Sequence, residues 1–278
     1  MPVLPSPPSP PARFALWLGA IAGVELELAH AWLETILPVV DAPGPEQWFR
    51  TGAGQRHPPA LPRPWVALAA LPRPGLWSVA DVTAVAASLP LVPLVAVTTS
   101  LAEGSRRSGD SLAGIEEVPW VELPGRVWGW ASGAARPAGW LPATSRRDER
   151  WLVAPKRPAT ARRPVAVAAP GTSREQLCDL LDAAGFAPQP LDTPRPHPGC
   201  PGPVIWDAGG VGEECCSWLR LLTADGRRDV VVLESFPRGD GVRLALEAGA
   251  AAVLPRVVAA ETVAGTLGWI TARGAAPG

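Results

Sequence analysis

With 278 residues and 47% hydrophobic content, the chain is long enough for two domains of about 100 to 150 residues, each with its own core. Its 25 Lys and Arg against 26 Asp and Glu leave a net charge of −1, which excludes a global field for nucleic acid or an anionic membrane. Residues 1–12 are spaced through with Pro and are expected to be disordered or extended, with none of the apolar core of a signal peptide. Arg13 to Leu18 reads as a buried strand. After it, Val24, Leu28, Ala31, Trp32 and Thr35 trace one face of a helix, leaving Glu25, Glu27 and Glu34 to face water. Those charges, with His30, exclude a simple membrane span over this apolar run. Residues 41–64 are Pro-, Gly- and polar-rich and read as a long loop where a second strand and helix would be expected.

Residues 65–69 form the next strand, and Ser78 caps a helix through Ser88 with Asp81 in its first turn. Residues 94–97 are a further buried strand ending in Thr98-Thr99-Ser100. Residues 101–114 read as loop, and residues 120–123 as a final strand. The first domain therefore spans residues 13–132.

Residues 133–163 interleave Pro and Arg with no sustained period and read as a linker. Arg146, Arg147, Arg150, Arg157, Arg162 and Arg163, with Trp140 and Trp151 to stack, could form a nucleic-acid contact. A solvated linker is the favoured reading, because Asp148 and Glu149 already offset part of that charge.

The second domain, residues 164–272, opens with a strand at 165–169. Ser173 with Gln176 three residues on suggests a capping box, and Leu177, Leu180, Leu181 and Ala184 line the buried face of its helix, which Gly185 ends. Residues 188–202 hold too many prolines for a helix. The run from 203 ends at Asp207 and the turn Ala208-Gly209-Gly210. Cys215, Trp218, Leu219 and Leu222 then share one helical face. Residues 230–233 are a wholly apolar strand, of the kind a sheet covered on both sides produces. Leu244, Leu246 and Ala248 suggest a short helix ended by Gly249, and residues 251–254 a last strand.

The order of elements in the two halves matches well enough to suggest a diverged internal repeat. IEEVPWVELPGRV from Ile115 aligns without a gap to LEAGAAAVLPRVV from Leu246 at Glu, Leu-Pro and the final Val. A single unrelated α/β domain at the N-terminus is the alternative.

Segment 203–258 resembles the receiver domain of two-component response regulators. The family's phosphoacceptor aspartate closes its third strand, where this chain has Asp207 in VIWDAGG. Its fourth strand ends in Thr or Ser and a small residue, where Glu234-Ser235 stand. The pattern Ala245-Leu246-Glu247-Ala248-Gly249-Ala250 matches the end of its fourth helix, and Arg256-Val257 stand for its Lys-Pro. The resemblance implies two flavodoxin-like, receiver-like α/β domains, each of three layers around a parallel sheet, joined by the Pro/Arg-rich linker.

The resemblance also identifies what is missing. The acidic pair that would hold magnesium at the end of the first strand is replaced by Ala168-Ala169-Pro170-Gly171. Asp207 alone is a poor magnesium site, since that ion wants near-octahedral oxygen coordination. Glu234 would repel a phosphoryl oxygen, and Arg256 carries a permanent planar charge that should pair with Asp207 or Glu234. The expectation is a pseudo-receiver in which Arg256 lies between two carboxylates as a fixed ion pair. The plainer alternative makes Asp207 an ordinary strand-end residue.

Other chemistries have less to work with. His197 and Cys200 have a metal-like gap but no second ligand pair, so no metal is expected. Gly209-Gly210-Val211-Gly212 precedes a helix and could cradle a phosphate, but Glu213 and Glu214 follow at once and the dinucleotide spacing is absent. No Gly-x-Ser-x-Gly elbow is present, and His30, His57 and His197 fall on a helix and in Pro-rich loops. The four cysteines form no disulfide framework, which fits a reducing cytoplasm. The sequence thus points to a non-catalytic, cofactor-free cytoplasmic protein of bacterial-type signalling, acting by contact with another protein or a second copy. An atypical phosphoacceptor using Asp207 and a small-molecule-binding α/β protein are the alternatives.

Overall fold

In the first half, β1 (Ala15–Leu18), β3 (Val66–Leu71) and β4 (Leu94–Thr98) are apolar strands buried along their whole length. The computed structural model describes residues 13–42, 44, 64–105, 115–133, 162–226 and 229–275. The expectations for residues 1–12, for most of 41–64 and for the linker between 134 and 161 lie outside them.

The buried strands pair in parallel with β2 (Val39–Ala42) and β5 (Glu116–Pro119), in the order β2-β1-β3-β4-β5. The second half repeats this order. Its strands are β6 (Pro164–Ala168), β7 (Ala187–Pro190), β8 (Val204–Gly209), β9 (Val230–Glu234) and β10 (Ala252–Pro255), arranged β7-β6-β8-β9-β10. Both sheets therefore have the 2-1-3-4-5 order of the flavodoxin-like doubly wound fold.

Among the described residues, the helices of the first domain are α1 (Val24–Glu34), α2 (Val79–Ser88), α3 (Ser100–Ser105) and α4 (Leu123–Ala131). Those of the second are α5 (Gly171–Ala183), α6 (Glu213–Ala224), α7 (Gly239–Glu247) and α8 (Ala260–Ala275). Side chains alternate across each strand. Leu16 and Leu18 pack with Ala67, Ala69, Val82 and Val85 on the α2 side. Ala15, Trp17, Leu68 and Val95 face the other way, into a core that runs on into the second domain.

Ser78 caps α2, accepting from the Asp81 N–H while Asp81 accepts from the Ser78 N–H at 2.8 Å. Ser173 does not cap α5. That helix begins at Gly171, so Ser173 already lies inside its first turn and Pro170 holds the cap position with no side-chain bond. On α1 the buried residues are Leu26, Ala29, His30, Trp32 and Leu33, and Ala31 is exposed. On α7 they are Gly239, Val242 and Ala245, while Leu244 is half exposed. Residues 101–105, read as loop, continue α3.

The strand expected at 120–123 is instead a 3₁₀ turn, Trp120–Glu122, leading into α4 with Pro124 in its first turn. The true strand is 116–119, and its terminal Pro119 corresponds to Pro255 at the end of β10. The ungapped alignment of the halves is therefore five residues out of register here, because Leu123-Pro124 is helical and Leu254-Pro255 is strand.

The two domains join along one face. The 3₁₀ turn, α1 and α4 of the first pack against β10, α7 and α8 of the second. Helices α4 and α8 cross backbone to backbone: a Cβ on Gly265 would lie 2.7 Å from the Gly125 carbonyl carbon, and one on Gly125 would lie 2.6 Å from the Thr262 oxygen. Trp32 stacks on Trp120 at 5.9 Å and meets Trp269 edge-on at 6.3 Å. No helix among the described residues is long and apolar enough to cross a membrane.

Candidate functional site

Strands β8, β9 and β10 are adjacent, so Asp207, Glu234 and Arg256 gather at one carboxyl edge of the second sheet, where ligands of such sheets bind. Asp207 is the least exposed, its side chain only 2% accessible. Arg256, just past β10 and with its side chain 40% accessible, reaches across the end of β9 to meet it. Its Nε donates to Asp207 Oδ1 at 2.8 Å, and its Nη2 lies 2.7 Å from the same oxygen. The Gly209 N–H completes the cage at 3.2 Å, in a turn whose φ of 79° suits a glycine.

Glu234 does not share the guanidinium, which corrects the expectation of one Arg between two carboxylates. Strand parity is the reason. Asp207 is in register with Leu233, and a bulge at Ala208 puts Gly209 opposite Glu234, which is also opposite Pro255. Residues in register point to the same face, so Glu234 points away from the face that Asp207 and Arg256 share. It lies toward the start of α6, beside the backbone of Val211 and within 4 Å of where a Cβ on Gly241 would sit. Burial pushes its carboxyl above the ordinary glutamate value, while the Val211 backbone and Arg238 pull the other way. Its Oε2 is buried with no hydrogen-bond partner among the described residues.

Beside it, the Cys215 thiol is pushed up to about 12 by burial, then by Cys216, Glu234 and Glu214. None of the four cysteines is in a disulfide, and Cys200, Cys215 and Cys216 are buried. Cys200 Sγ accepts from the backbone N–H of His197 at 3.2 Å, so that pair forms a turn. Ser235 is exposed. The Gly209–Gly212 loop lies beside Arg256, whose Nη2 would be 3.7 Å from a Cβ on Gly209, and Glu213 and Glu214 follow it in the first turn of α6.

The end of β6 contributes only Ala168 and Ala169, both buried. Among the described residues no group of three or more His, Cys, Asp or Glu is placed to hold a metal. In the first sheet, the positions matching Asp207, Glu234 and Arg256 are Ala70, Thr98 and Trp120. Of the linker arginines, Arg162 pairs with Asp182, both half exposed, and Arg163 is exposed.

No family model matches the chain, and no curated protein matches it. Among solved structures it is similar to a response regulator from Thermotoga maritima, 17% identical over 40% of this chain and 99% of that one, with a TM-score of 0.34. A putative two-component system response regulator/GGDEF domain protein is 16% identical over 94% of this chain and 98% of its own, with a TM-score of 0.31. A dinucleotide-forming acetyl-coenzyme A synthetase 1 from Ca. Korarchaeum cryptofilum is 12% identical over 96% and 68%, with a TM-score of 0.33. The fold assignment rests on strand order and not on these likenesses.

Strands β2 and β7, which lie at sheet edges, and helices α4 and α8, which carry the joint between domains, were not anticipated. The spacing of Val263, Ala264, Leu267 and Ile270 held a helical signal for α8.

Proposed function

We propose that the chain is a pseudo-receiver scaffold: two receiver-like domains in bacterial-type signalling that work by protein contact and take no phosphoryl group. The observation that carries this reading is Arg256 lying on Asp207. Phosphoryl transfer to a carboxylate needs the attacking oxygen free and a metal to neutralise charge as the phosphoryl group arrives. Here Oδ1 of Asp207 accepts from Arg256 and Gly209 together. The residues present do not fit magnesium, since the end of β6 offers methyl groups where a second oxygen ligand would be needed. Arginine suits a fixed pair better than a mobile one, because its planar fork stays charged at all accessible pH.

The test is incubation of the full chain with acetyl phosphate and magnesium, followed by peptide mass spectrometry. No phosphoryl adduct is expected on the peptide holding Asp207. An adduct there would overturn the proposal in favour of an atypical phosphoacceptor.

A further inference from the structure

Arg256 sits in the short connector between two elements that the first domain grips. β10 ends at Pro255 and α8 begins at Ala260, so four residues link the strand to the helix and Arg256 is the first of them. The first turn of α8 is tied to the first domain twice. Thr262 Oγ1 donates to Glu122 Oε2 at 3.1 Å, and Glu261 accepts from Arg126 Nη1 at 2.8 Å. Arg126 is itself largely buried and also paired with Glu116, so this tie is not a loose surface bridge.

Further along, the Gly125–Gly265 crossing leaves α8 no room to slide toward α4. The Trp269 Nε1 then donates to Thr35 Oγ1 at 3.2 Å at the end of α1. The helix on the other side of β10 is held as well. Glu25, expected to face water, accepts from the Ser100 N–H at 2.7 Å and from Ser100 Oγ at 2.6 Å. It also accepts from the Gly239 N–H at the start of α7, at 3.3 Å. A Cβ on Gly239 would lie 2.9 Å from Glu25 Cγ, so the two elements are in contact. One carboxylate thus closes the N-termini of two helices, one from each domain.

We infer that the first domain is a positioning partner in cis for the α7–β10–α8 face, and that by fixing the first turn of α8 it holds Arg256 on Asp207. This rests on the Asp207–Arg256 pair proposed above. The Arg256 side chain is 40% exposed, so its neighbours do not cage it, and where its backbone is anchored decides whether it reaches Asp207. The bonds of Glu122, Arg126 and Thr262 described above run between α8 and the first domain, and these residues act through the placement of α8. The same packing assigns the α7–β10–α8 face to the first domain, so that an outside partner must use other surfaces.

The experiment is arginine labelling of the full chain with phenylglyoxal, read peptide by peptide, with exposed Arg238 as internal reference. Asp207→Asn is expected to raise labelling at Arg256 several-fold. Arg126→Gln and Thr262→Val are expected to do the same while Arg238 stays at its wild-type level, and Arg126→Lys to restore much of the protection. No rise in Asp207→Asn means the ion pair itself is wrong. A rise in Asp207→Asn with none in Arg126→Gln and Thr262→Val leaves the pair intact and overturns the positioning role. An equal rise at Arg238 is general loosening and also counts against it. If Arg126→Gln does not fold, Thr262→Val, which removes a single hydroxyl bond, decides the matter alone.

Discussion

Arg256→Ala separates a fixed ion pair from an incidental one. The substitution leaves Asp207 with a side chain 2% accessible and the Gly209 N–H, at 3.2 Å, as its remaining bond among those described above. Breaking a fully buried pair from one side costs about 3–5 kcal/mol, and an exposed pair about 0–1 kcal/mol. Here one partner is buried and the other 40% accessible, which places the expected loss at about 1–3 kcal/mol. The two single variants should be unequal. Asp207→Asn leaves a guanidinium that can turn to water, and should cost less than Arg256→Ala, which leaves a carboxylate that cannot. The double variant should recover part of the Arg256→Ala loss, and the cycle of four proteins isolates the coupling. Urea melts at neutral pH measure all four, with equal slopes required so that midpoints report stability. Arg256→Ala within about 0.5 kcal/mol of wild type, the ordinary range of surface changes, would refute the reasoning, as would a double variant no better than the single.

The remaining predictions concern Glu234 and the joint. The Glu234 carboxyl is raised by burial, so its contribution is fully favourable below the unfolded value of 4.5 and is lost as pH rises through the raised folded value. Glu234→Gln should therefore be more stable relative to wild type at pH 7 than at pH 4, and melts showing the same difference at both pH values would contradict this. Trypsin is expected to cut first in the Arg-rich segment between residues 133 and 163, with the two fragments still eluting together from a sizing column because α4 and α8 remain packed. In Gly265→Val the added side chain would meet the Gly125 carbonyl group, and the nicked halves should then separate; co-elution of the nicked variant would show that the crossing does not hold the joint.

What the sequence reveals follows from where each element lies. Interior strands β1, β3, β4, β6, β8 and β9, and the edge strand β10, carry apolar runs because both faces of each sheet are covered, and such runs announce themselves. Edge strands β2 (VVDA) and β7 (APQP) are not wholly buried, and the prolines of β7 suit an edge, so both read as loop. Helices α4 and α8 escaped for another reason. Their glycines lower helical propensity and look like punctuation, yet Gly125 and Gly265 are there to let two backbones touch. A residue chosen for a neighbour hundreds of atoms away along the chain cannot be interpreted from its own segment.

The site divides the same way. That Asp207 and Arg256 would meet followed from the rule that doubly wound sheets gather their chemistry at strand ends. Which carboxylate Arg256 would choose did not follow, because the choice turns on the register between the strands. Without the extra residue at Ala208, the register Asp207 to Leu233 would continue to set Ala208, not Gly209, opposite Glu234. Asp207 and Glu234 would still differ in parity, since they sit one step apart along paired strands. The two carboxylates were thus never candidates for one guanidinium, and counting residues back from each strand end, once the register is known, is enough to show it. The sequence does not state that register. It is fixed by the packing of Leu233 and Leu254 beneath the site, and those two leucines put Asp207 and Arg256 on the same side of the sheet.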